Sequence, residues 1–163
     1  MPRPRLKLVK KPGATAMLVN GGSILLLKRI SIPFIINPGM WFFVGGAIKH
    51  GERPIDAAYR EIGEETGIMP AELEKVSSIS ATVSDIRKGL RWRNRLFLFR
   101  SRTRRVRLNF EHTTYRWVPL GELGKYPELA ESVAGYGKLL DAPADHIHRK
   151  RGGNRRHKGG RKL

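Results

Sequence analysis

Residues Gly46–Ile68 read GAIKHGERPIDAAYREIGEETGI, and no other stretch constrains the chain so tightly. Pro54 suits a first helical turn, where a missing N–H goes unused anyway. Asp56 complements the helix dipole, Ala57 and Ala58 are strong helix formers, and Gly67 supplies a left-handed stop. At about 100° per residue, Ile55, Tyr59 and Ile62 share one face, while Glu61, Glu64 and Glu65 share another with Arg60 at its edge. The segment therefore predicts a loop leading into a short helix with an apolar face and a narrow carboxylate stripe. Glu52, Glu61, Glu64 and Glu65 are four of the chain's fourteen acidic residues.

A solvated acidic face is the ordinary meaning of glutamates on a helix. Three features count against it here. The acids crowd the C-terminal end, where the dipole disfavours negative charge. Like charges three and four residues apart repel. Val44-Gly45-Gly46 just upstream is a flexible turn able to bring backbone carbonyls beside them. Clustered carboxylates with a backbone carbonyl are the donor set of a hard divalent cation such as Mg²⁺.

Gly46, Glu52, Arg60, Glu61, Ile62, Glu64, Glu65, Gly67 and Ile68 fill every fixed position of the signature of the Nudix hydrolases, with its spacings. The chain resembles that family most sharply over these 23 residues and more loosely from about Gly13 to Leu140. The resemblance implies an α/β fold: an α/β/α sandwich with a mixed β-sheet and the signature helix packed on one side. It also implies roles. Glu61, Glu64 and Glu65 would hold one or more Mg²⁺ ions, with Mn²⁺ as a substitute and the Gly45 carbonyl as a further ligand. Glu52 would be a peripheral acid. Arg60 would orient a ligand carboxylate with its guanidinium fork. Glu64 and Glu111, the latter in Phe110-Glu111-His112, both stand as candidates for the general base, with Asp85 behind them. Val44 stands where many members of the family carry proline.

The signature does not choose a substrate. Trp41, Phe42, Phe34 and Trp92 are aromatics able to stack a base, although each taken singly reads more readily as core. Residues that mark the dinucleoside-polyphosphate, ADP-ribose and coenzyme A branches of the family are not found where they would be expected. The implied reaction is cleavage of a phosphoanhydride in a nucleoside diphosphate derivative, either a nucleotide or an RNA 5′ end.

Charge supplies the alternative. The net charge is +18, and 23 of the 32 basic residues fall in three acid-free segments: five in 1–12, ten in 87–107 and eight in 149–163. The remaining nine face all fourteen acids. Flexible basic segments among glycine pairs suit salt-dependent contact with phosphates. The second reading is thus a Nudix-like module that binds RNA or a ribonucleoprotein, with weak or no catalysis. The mutually repelling carboxylates favour the enzyme.

The remaining sequence frames one domain. A basic N-terminal arm is expected over 1–12, the catalytic domain over 13–140 and a basic, disordered tail over 141–163, with His146 and His148 more readily polar tail than metal ligands. Asn20-Gly21-Gly22 between apolar runs predicts a hairpin. Strands are expected at 41–44, 75–87, 90–100 and 115–118, and helical segments at 120–123 and 128–140, the last weakened by Gly135 and Gly137. Cysteine is absent, which excludes disulfides and thiol chemistry. No apolar run is long enough to cross a bilayer, and the basic N-terminus leads into no signal-type segment. A cytoplasmic protein is expected, with no membrane partner; the sequence sets no oligomeric state.

Overall fold

The computed structural model describes residues 5–141 apart from 86 and 134. The basic tail, with His146 and His148, therefore lies outside the described residues.

Seven strands form one mixed sheet in the order β3-β2-β1-β6-β5, with β4 pairing β1 and β7 pairing β2. The strands are β1 (Lys7–Asn20), β2 (Ser23–Arg29), β3 (Trp41–Phe42), β4 (Val44–Ala47), β5 (Leu73–Asp85), β6 (Leu90–Ser101) and β7 (His112–Pro119). The β1–β2 hairpin closes at Asn20↔Ser23 over Gly21 and Gly22, both at positive φ. β1 runs parallel to β6, and β5 returns antiparallel to β6.

Alternation along the central strands sorts their side chains into two cores. Ala14, Ala16, Leu18, Leu25, Leu27, Phe97 and Phe99 pack on one face beneath Ala57, Ala58 and Ile62 of α1 (Pro54–Thr66). Met17, Val19, Ile24, Leu26, Leu96 and Leu98 pack on the other face. There they meet Leu123 of a 3-10 turn, Leu129 of α2 (Pro127–Ser132) and Leu139 of α3 (Gly137–Leu140). Strands buried on both faces read as continuous apolar runs, and this is the expected helix–sheet–helix sandwich. Among the described residues no helix is long and apolar enough to cross a membrane.

α1 follows its sequence closely. Pro54 opens it, and Gly67 closes it at φ 71° with its N–H donating to the Gly63 carbonyl at 3.0 Å. The structure departs from the sequence expectation elsewhere. β1 begins at Lys7, so half of the expected N-terminal arm belongs to the sheet. Lys7, Leu8 and Val9 pair with Leu90, Arg91 and Trp92 before an irregularity ahead of Gly13. A parallel neighbour is remote in sequence and leaves no local trace. The expected single C-terminal helix is broken into α2 and α3, with Gly135 at φ 77° between them.

Candidate active site

Close approach between α1 and β4 creates the site. Gly45 and Gly46 pair with Thr15 and Ala14 of β1 while α1 lies across them. A Cβ at Gly46 would collide with the Glu61 carboxylate, and one at Gly45 would lie 2.7 Å from the Ala14 carbonyl oxygen. At Gly45 the obstacle is backbone and glycine is needed for space; at Gly46 the Glu61 carboxylate would have to move. The helix thus presses its carboxylates onto the strand backbone.

The acidic stripe is therefore divided. Glu65 is 1% exposed; its Oε2 accepts the Gly45 N–H at 3.2 Å, and its Oε1 is buried with no hydrogen-bond partner among the described residues. Burial, reinforced by the Glu61 charge, raises its pKa well above the usual carboxylate range. Glu61 is also buried, and burial raises its pKa against the pull of Arg60. Glu64 stays out, with 52% of its side chain exposed.

Arg60 ties these acids to the preceding loop. Its Nε and Nη2 hold Glu52 at 2.8 and 3.0 Å, its Nη1 reaches Glu61 at 2.7 Å and Glu64 at 3.4 Å, and Nη2 also donates to the Ala47 carbonyl at 3.0 Å. The Arg60 fork, with the Lys49 N–H at 2.9 Å, holds Glu52 down to a pKa of about 2. Arg60 is thus hydrogen-bonded to three carboxylates, and its bidentate partner is Glu52.

Two further charged residues enter from the sheet. Glu111, just before β7, lines the same cleft as Glu61. Its carbonyl accepts the Ile30 N–H at 2.7 Å, and its N–H donates to Asn109 Oδ1 at 3.2 Å, which ties the start of β7 to the end of β2. Arg29, the last residue of β2, was not predicted. It is 8% exposed and among the described residues its Nε has no partner. Burial lowers its pKa, opposed by the charges of Glu65, Glu111, Glu61 and Asp85. Its signal was available: in Ser-Ile-Leu-Leu-Leu-Lys-Arg it shares the parity of the buried Leu25 and Leu27. Asp85 is buried and fully occupied, accepting the Asn37 N–H and the Lys88 N–H at 3.0 Å each. It latches the 31–40 loop to β5, and its role in the structure is that of an anchor.

The cleft has a volume of about 340 Å³ and its walls include Lys11, Arg29, Phe34, Phe42, Trp92 and Glu111. Trp41, expected with Phe42 as a base-stacking residue, faces elsewhere. It packs edge-on against Tyr126 at 5.9 Å with the Arg116 guanidinium 4.8 Å above it. Both residues pack against the core that holds Phe43 and Leu129, and of the two Phe42 borders the cleft. Phe42 is 5% exposed and belongs mostly to the core, whereas Phe34 is 79% exposed at the cleft.

Among the described residues no three acidic or histidine side chains converge as a finished metal cage. The donor chemistry nevertheless fits a hard cation. Glu61 and Glu65 are both buried, the Glu61 charge helps raise the Glu65 pKa, both offer oxygen only, and among the described residues Glu65 Oε1 has no donor.

Comparison with known proteins agrees with this architecture. The NUDIX domain profile matches residues 9–141. The chain belongs to the Nudix hydrolase family. Over 64 residues it is 34% identical to Nudix hydrolase 25 of Arabidopsis thaliana, covering 39% of this chain and 34% of that protein. The match thus spans about a third of that relative's length. Among solved structures, a C. elegans Ap4A hydrolase in a binary complex is 26% identical, covers 80% of this chain and 92% of its own, and superposes with a TM-score of 0.63. A Nudix hydrolase from M. smegmatis, RenU, shares the fold at 23% identity and a TM-score of 0.64, covering 86% of this chain and 88% of its own.

Proposed function

We propose that this protein is a Mg²⁺-dependent pyrophosphohydrolase that cleaves a phosphoanhydride in a nucleoside diphosphate derivative. One observation carries the reading: Glu61 and Glu65 lie buried against Gly45 and Gly46 where a cleft opens beside Arg29 and Glu111.

Glu61, Glu64, Glu65 and the Gly45 carbonyl would hold Mg²⁺, for which Mn²⁺ can substitute. When bound, the ion supplies charge neutralisation at the phosphates and a more acidic water. The protein's own groups do the rest. Arg60, clamped by Glu52, fixes the rotamer of Glu61. Arg29 offsets carboxylate repulsion at the cleft and faces the phosphates. Glu64 or Glu111 takes the proton from the attacking water, and substitution of each by Gln decides between them. Phe34, Phe42 and Trp92 offer the base an apolar wall.

The C. elegans neighbour is described as an Ap4A hydrolase, which supports a nucleotide with linked phosphates as substrate. Phosphate or nucleotide release is measured with Mg²⁺ across free nucleotides, dinucleoside polyphosphates, nucleotide sugars and 5′-triphosphate or capped RNA. Turnover of at least one member is expected. Failure on the whole panel would overturn the reading.

A further inference from the structure

Arg91, Arg93 and Arg95 alternate along the first half of β6, and all three are exposed. Phe97 and Phe99 continue the same parity and pass into the core beneath α1. The arginines therefore extend the α1-side face of the sheet beyond the helix that covers it. Their partners across β5 are Ser84, Thr82 and Ser80, small hydroxyl residues that bring no charge. Arg95 is already held by Ser80 Oγ at 3.2 Å and Ser78 Oγ at 3.1 Å. Among the described residues none of the three forms an ion pair with an acid.

Same-face residues on a strand are about 6.6 Å apart, which is on the order of the spacing of neighbouring phosphates in an extended nucleic-acid strand. Guanidinium forks suit phosphodiester oxygens. Arg93 and Arg95 line an open groove of about 640 Å³ that shares Pro12, Gly13 and Asn94 with the cleft described above. The cleft itself presents the exposed ring of Phe34. Aromatic faces take unpaired bases, and a duplex has none free to offer.

We propose that this face binds single-stranded nucleic acid, with Arg91, Arg93 and Arg95 engaging successive phosphates and Phe34 stacking a base where the strand reaches the cleft. Recognition is by backbone charge and stacking, and is independent of sequence. The proposal is separate from hydrolysis, because it is read on a strand that carries no phosphoanhydride.

The test uses the full chain and a fluorescein-labelled oligouridylate of about 12 nucleotides with a 5′-hydroxyl, followed by anisotropy from low to moderate salt. Replacing all three arginines by Ala is expected to weaken binding by about tenfold or more and to lower the slope of log affinity against log salt by about 2, at ~0.7 per phosphate contact. Replacing all three by Lys keeps the charge and is expected to retain the wild-type slope. Thermal melts establish that both variants are folded. Wild-type affinity and slope in the Ala variant would overturn the proposal, assigning the binding to other basic segments. Equal or tighter binding of a duplex of the same length, or a slope in the Lys variant as low as in the Ala variant, would overturn it as well.

Discussion

Gly46 shows how one missing carbon sets the site. Its Cβ would occupy the space of the Glu61 carboxylate, so Gly46→Ala must displace the helix or the acid. We expect turnover to fall by about 100-fold, while circular dichroism reports an intact fold. Glu65→Gln retains the Gly45 N–H as a possible partner while removing the charge. Its turnover should drop by at least about 100-fold, and unchanged kinetics would remove Glu65 from the metal site. His112 carries a different kind of prediction. Its Nδ1 lies 3.1 Å from Asn109 Oδ1, its Nε2 is buried with no partner among the described residues, and burial, aided by Arg29, lowers its pKa from 6.5 to about 4. Between those values the unfolded chain binds more protons, so stability rises with pH. The contribution is complete above about pH 6.5 and is lost toward pH 4, amounting to about 3 kcal/mol at most. Glu65 works in the opposite sense in metal-free protein, because its folded pKa is raised. The slope of urea midpoint against pH across this window should therefore be less positive in His112→Gln than in the parent; an identical slope would contradict the assignment.

At the scale of elements, α1 was legible because its signals are local. Pro54, Asp56, Ala57, Ala58 and Gly67 act through the backbone of their own turn. The β1–β2 hairpin was legible for the same reason. The extension of β1 to Lys7 was not, since its pairing partner Leu90 lies more than eighty positions away in sequence. Deleting residues 1–12 removes the Lys7–Val9 pairing and two walls of the cleft, Lys11 and Pro12. We expect a loss of about 2 kcal/mol, or a melting temperature lower by ~4–8 °C, read by calorimetry; an unchanged melt would mean that this pairing adds nothing. The 31–40 loop is a second case. Its attachment depends on Asp85, which sequence offered only as a weak candidate base and which the fold buries as an anchor. Asp85→Ala leaves two backbone N–H groups without their acceptor, and about 2–3 kcal/mol of destabilisation is expected in urea denaturation.

Over the whole molecule, the sequence determined the local helix, the hairpin, the identity of the acidic cluster and, through the complete signature, the family. These are properties of residues near one another in the chain, and short-range sterics and spacing settle them. Only the tertiary structure decided which carboxylates are buried, because burial depends on what packs from the far side. It turned Glu61 and Glu65 inward against β4 and left Glu64 outside. It brought Arg29 from β2 and Glu111 from the start of β7 to the same cleft, although they are far apart in sequence. It sent Trp41 to Tyr126 and Arg116 and away from the site, contacts made with segments about eighty residues on. It also divided the central strands between two cores and left Arg91, Arg93 and Arg95 on the stretch of sheet that α1 does not cover. Charge and apolar character are written residue by residue; the shared environment that gives them chemical effect exists only when distant segments meet.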